Sequence, residues 1–218
     1  MKLKLILITV LAFALAGLAH AQGFTSNLSI GAGFEGVLPA ATFDHNQTAP
    51  YLSTTQSSTK SVGATGNVRY DFGRHSALEA SVAVNRASEL FFNGNGEFVS
   101  RVQTNNLEII GAYIFRLPST PKIKPYALVG GGVVHFSPNN DFTTGQTPAS
   151  SSKPAFAYGF GTDFKMSDNW AIRLQYRGLV RSSPDFGLLS YSTSTGSNFG
   201  TGLKTHVPEP SIQLVYHF

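Results

Sequence analysis

Apolar residues fall on every second position in eight stretches of the chain, the period of a strand that shows one face to an apolar environment. The clearest stretch is Trp170–Arg181, where Trp170, Ile172, Leu174, Tyr176 and Val180 interleave with Arg173, Gln175, Arg177 and Arg181. The others run over about Thr25–Leu38, Lys60–Phe72, Ala77–Ser88, Val99–Leu117, Lys124–Phe136, Lys153–Met166 and Lys204–Phe218. Their connections alternate in length. Gly73–Ser76, Pro118–Pro121 and Ser167–Asn169 are tight turns, whereas about Pro39–Thr59, Glu89–Phe98, Ser137–Ser152 and Ser182–Leu203 are long and rich in Ser, Thr, Asn and Gly.

The two faces differ in bulk as well as polarity. One carries most of the aromatics and branched aliphatics; the other is Gly, Ala and Ser with charges. In a soluble sandwich or lipocalin-like barrel the apolar face points inward and is limited by volume. Small residues suit the tapering inside of a narrow barrel, and large ones suit lipid. The expected fold is therefore all-β, an eight-stranded antiparallel up-and-down transmembrane β-barrel, with short periplasmic turns, longer outside loops and both termini in the periplasm. A spanning sheet must close, because lipid offers no partners to unpaired backbone groups.

On this assignment Glu35, Arg69, Glu79, Glu108, Asp163, Arg173 and Arg177 form a charge network in the lumen, with Asp71, Arg116 and Lys165 lower down and Arg181 toward the outside. Eight strands leave a space that side chains fill, so no wide aqueous channel is expected. Tyr70, Phe72, Tyr113, Phe115, Tyr126, Phe164, Trp170, Tyr216 and Phe218 all lie near a short turn or the terminus, as an aromatic girdle at the periplasmic interface would. In the Lys124–Phe136 stretch, Tyr126, Leu128, Val134 and Phe136 are assigned to lipid, and His135 and Ser137 to the lumen. The run Gly130–Gly132 allows strong curvature there.

Met1–Ala21 has Lys2 and Lys4, an uncharged apolar run and Ala19-His20-Ala21, a cleavable signal peptide pattern. Its apolar run is shorter than the ~20 residues a spanning helix needs. The expected domains are a signal peptide, 1–21, and one barrel, 22–218. The chain has no cysteine, which excludes disulfides, thiolate metal sites and a catalytic thiol. Loss of Lys2 and Lys4 takes sixteen basic residues to fourteen against twelve acidic, with no basic cluster, so nucleic acid is not an expected partner.

The alternation continues to the last residue, through Ile212, Leu214, Tyr216 and Phe218. With this ending the chain resembles the small eight-stranded bacterial outer-membrane barrels, the group of the OmpA transmembrane domain and the OmpX-like and OmpW-like proteins. The resemblance implies a bacterial outer-membrane location among lipid and lipopolysaccharide. It also implies Leu214, Tyr216 and Phe218 as a signal for the barrel-assembly machinery, and a monomer without cofactor or metal.

Other chemistry is sparse. His135-Phe136-Ser137 with Asp141 is similar to the His-x-Ser pair and acidic partner of outer-membrane lipid A deacylases, but Pro138 stands where that family tends to have Asn. His206 and Glu209, three apart, fall on opposite strand faces. Gly159-Phe160-Gly161 lies inside a strand and is no phosphate loop, and Asn93–Gly96 lacks the carboxylates of a calcium loop. The expected function is a non-enzymatic integral outer-membrane protein with a structural or surface-interaction role, long polar loops outside and a charged, filled lumen. A narrow channel for small ions or apolar solutes is the alternative, and a lipid A acyl hydrolase the second.

Overall fold

Alternation of β-branched and aromatic residues with small polar ones produces strands throughout the computed structural model, which describes residues 27–44, 54–92, 96–143, 147–187 and 204–218. The expected signal peptide, Asn93–Asn95 and much of the first and last long loops lie outside these residues. The strands are β1 (Leu28–Val37), β2 (Thr42–Asp44), β3 (Thr54–Ser58), β4 (Ser61–Asp71), β5 (Ser76–Phe92), β6 (Phe98–Arg116), β7 (Ile123–Phe142), β8 (Ser151–Lys165), β9 (Trp170–Ser182) and β10 (Lys204–His217).

Eight of them form the barrel, in the order β5-β4-β1-β10-β9-β8-β7-β6, and β6 pairs back with β5 to close it. All pairings are antiparallel, and the first and last strands meet from Ser29 opposite His217 to Glu35 opposite Ser211. Every wall strand therefore has two neighbours, which satisfies its backbone without water. The short strands β2 and β3 are an addition to the sequence reading, which has only a loop there. They pair with each other, and β3 also pairs with the upper end of β5. Between Ser58 opposite Glu89 and Gly63 opposite Asn85 the β3–β4 side carries one extra residue, a bulge around Thr59 and Lys60.

The bulky face looks out. Phe34 is 66% exposed, Val62 74% and Phe160 63%, and Leu78, Ile109, Leu174, Ile212 and Leu214 are exposed beside them. Phe72, Tyr113, Phe115, Trp170 and Phe218 are exposed at the short-turn end, where Trp170 and Phe218 each set a ring edge-on to Tyr216 at 5.0 Å. Near the other end Tyr158 and His206 stack with their Oη and Nε2 2.8 Å apart. Gly178 lies between them, and a side chain there would collide with both.

β7 departs from the sequence assignment. Tyr126, Leu128, Val134 and Phe136 are buried inside the barrel, whereas Val129 and Val133 are exposed on its wall. Both rows of β7 are apolar, so alternation alone does not choose between them; the space inside does. The Tyr126 hydroxyl end fills the room left by Gly161 on β8, where a Cβ would overlap it. Tyr126 thus leaves the girdle for the lumen, and His135 and Ser137 turn outward. Lys165 is likewise no lumen residue: it is exposed and pairs with Asp168 in the β8–β9 turn at 2.9 Å.

Candidate functional site: the lumen

Cross-strand register brings opposite charges side by side on the inner wall. Arg69 on β4 faces Glu79 on β5, Asp163 on β8 faces Arg173 on β9, and Arg177 on β9 faces Glu209 on β10. Each pair is closed through the arginine Nε: Arg69 to Glu79 at 2.9 Å, Arg173 to Asp163 at 2.7 Å and Arg177 to Glu209 at 2.6 Å. Such charge-assisted contacts are the strong ones inside a protein.

The lower layer joins two of these pairs into a balanced cluster. Arg173 Nη1 reaches Glu79 at 3.1 Å and Arg69 Nη1 reaches Asp163 at 3.5 Å, so two guanidinium groups share two carboxylates. Arg173 is completely buried and Arg69 is 1% exposed. Tyr126 lies under them, its ring centroid 4.2 Å from the Arg69 Cζ, and its hydroxyl donates to Gln175 at 2.7 Å. Asn67 accepts from Arg173 at 3.2 Å and donates to Gln213. A desolvated charge is tolerated only with this degree of pairing and hydrogen bonding.

The middle layer is acidic. Arg177 alone serves three carboxylates, Glu209, Glu108 at 2.8 Å and Glu35 at 3.4 Å, and also reaches the Ser81 hydroxyl at 3.3 Å. Asn85 donates to Glu108 at 3.1 Å and accepts from Asn106 at 2.9 Å. Below both layers, Arg116 and Asp71 pair near the short-turn end.

Above them an apolar cluster packs beside a buried Arg181–Glu89 ion pair at 3.9 Å. Val102, Val134, Phe136, Leu179 and Val207 are buried together, and Arg181 lies over the Phe136 ring at 4.5 Å. The segment after β9 folds into this layer. Phe186, with φ of 55°, is 1% exposed and meets Phe91 and Phe136 edge-on at 6.5 and 6.4 Å. It is held there by the Lys153–Asp185 ion pair at 3.3 Å, by Gln56 Nε2 donating to the Pro184 carbonyl at 3.0 Å, and by Ala149 N–H donating to the Phe186 carbonyl at 2.8 Å.

All seven charged residues assigned to the lumen from sequence lie inside. Glu209 and Tyr126 join them without having been named for this network. Glu209 carried a readable signal, since it shares its strand face with Gln213; Tyr126 carried none. The His135, Ser137 and Asp141 group does not assemble. His135 Nδ1 is 2.8 Å from Ser152 Oγ, not from Ser137, and Asp141 is bound to Arg101. His206 and Glu209 point to opposite sides of the wall.

A family model described as "Outer membrane protein beta-barrel domain" matches residues 5–210. Among solved structures, the crystal structure of the outer membrane protein OprG from Pseudomonas aeruginosa is similar with a TM-score of 0.56 at 14% identity, over 90% of this chain and 98% of that one. The solid-state NMR structure of the outer membrane protein AlkL in DMPC bilayers is similar with a TM-score of 0.53 at 18% identity, over 90% and 92%. At these identities the likeness shows the fold. A search of the curated proteins returned no match.

Proposed function

The chain belongs to the outer-membrane β-barrel family and resides in the bacterial outer membrane, and from that premise we propose that it is a non-enzymatic wall protein that supports the envelope and presents polar loops to the outside. The observation that carries this reading is the packed lumen: among the described residues, two layers of paired, buried charges lie under a layer of buried side chains around Phe136 and Phe186. Such a barrel offers the outside its loops, not a passage. The C-terminal residues Leu214, Tyr216 and Phe218 serve as the signal read by the barrel-assembly machinery. Planar-bilayer recording of the purified protein tests the closed lumen. Silence across salt and voltage is expected; resolved current steps at low voltage contradict it.

A second reading, a narrow conduit for apolar solutes, is favoured by one feature, the apolar cluster around Phe186 in the upper lumen. It requires Phe186→Ala to speed entry of an apolar dye into cells expressing the protein. Equal rates for variant and wild type retire it.

A further inference from the structure

The outer wall carries two exposed basic side chains, Lys60 and Arg86. Arg86 follows Leu78, Ala80, Val82 and Val84 on the lipid-facing row of β5, and Lys60 stands in the bulge on the neighbouring edge of β4; both are exposed. Among the described residues neither has a carboxylate partner. Glu89 faces inward toward Gln56 and Arg181, and Asp141 is taken by Arg101. The segments outside the described residues contain no Asp or Glu, and Asp44 stands opposite Thr54, at the end of β3 away from Ser58 and Lys60.

Height decides what could meet these charges. Ten residues separate Ser76, at the periplasmic end of β5, from Arg86. At ~3.3 Å per residue along a strand tilted by ~40°, that is a climb of about 25 Å, the thickness of the apolar band of such barrels. Arg86 therefore stands where the hydrocarbon ends. Beneath it Val62, Val84 and Ile109 are exposed for acyl chains to lie on, and beside it Asn105, its cross-strand partner on β6, offers an exposed amide. Two exposed cations on neighbouring strands above an apolar wall, with a neutral hydrogen-bonding group alongside, match an amphiphile with a phosphorylated sugar head.

We propose that Lys60 and Arg86 form a binding site for the phosphate of an outer-leaflet glycolipid on the β4–β6 sector of the wall. This rests on the chain spanning the outer membrane with its long loops outside, but binding in detergent micelles is blind to cellular orientation. A failed binding test therefore removes the site and leaves the topology untouched, whereas protease accessibility on cells tests the topology alone.

The test is native mass spectrometry of the purified barrel with added bis-phosphorylated lipid A. Lys60→Gln/Arg86→Gln should bind about tenfold to thirtyfold more weakly than wild type, and Lys60→Arg/Arg86→Lys should bind as wild type. Arg74→Gln/Lys122→Gln, with the same charge loss at the periplasmic turns, should be unaffected. The site is overturned if the first variant stays within about twofold of wild type, if the turn variant loses as much, or if dephosphorylated lipid A binds equally well. Displacement of lipid A by millimolar inorganic phosphate would mean a free-anion site and overturn the glycolipid assignment. Should the glutamine variant fail to fold, Arg86→Gln alone carries the same comparison.

Discussion

Arg177 is the residue on which the interior depends most. Among the described residues it is the only cation within reach of Glu35, Glu108 and Glu209. Removing it leaves three carboxylates buried without a counter-charge, and breaking a buried pair from one side typically costs ~3–5 kcal/mol. Arg177→Met should lower the unfolding free energy by about that much in urea titrations in lipid vesicles. Glu35→Gln removes only the 3.4 Å contact and should cost under about 1 kcal/mol. Equal losses from the two variants would mean that the layer is not organised around Arg177. The inward direction of these charges was legible because each alternates with a bulky apolar residue on its own strand. Their connectivity was not, because Arg177 meets Glu108 across 69 positions of sequence, and only closure of the barrel brings them together.

At the scale of elements, β9 and β7 are opposite cases. In β9 one row is aromatic and aliphatic and the other is Arg-Gln-Arg, so its faces can be read directly. In β7 both rows are apolar, and the room for Tyr126 comes from Gly161 on β8, which sequence alternation within β7 does not reveal. The chain contains no cysteine, so single-cysteine variants report each β7 position without background. In liposomes, Val129→Cys and Val133→Cys should react with a lipid-soluble maleimide, and Leu128→Cys and Val134→Cys should resist it. The reverse pattern would restore the sequence assignment and return Tyr126 to the interface. The last strand makes its own prediction. Phe218→Ala changes an exposed ring whose contact is with Tyr216, so the folded barrel should lose little stability, yet its yield in the outer membrane should fall. Unchanged yield would remove Phe218 from the assembly signal.

For the whole molecule, strand number and antiparallel order were legible, because lipid forces closure and the apolar period repeats in every wall strand; the expected long connections Glu89–Phe98 and Ser137–Ser152 are instead partly strand, since β5 runs to Phe92, β6 starts at Phe98, β7 runs to Phe142 and β8 starts at Ser151. The β2–β3 hairpin was not legible, since Thr54–Ser58 is a polar stretch without an apolar row and pairs only because β5 extends above the wall to meet it. Protease applied to intact cells should cut within 39–59 or 182–203; cuts confined to the short turns would invert the topology.

The central claim is that the barrel is closed from within by buried ion pairs, and the arginine Nε–H groups report on it directly. Arg69, Arg173 and Arg177 each donate that hydrogen to a carboxylate away from solvent, whereas Arg74 and Arg86 are exposed. Hydrogen exchange of ¹⁵N-arginine-labelled protein in lipid nanodiscs, followed by NMR, should show slowly exchanging Nε–H signals that vanish one at a time in Arg69→Lys, Arg173→Lys and Arg177→Lys. Exchange of every arginine Nε–H at the rate of the free amino acid would mean a water-filled lumen and contradict the account.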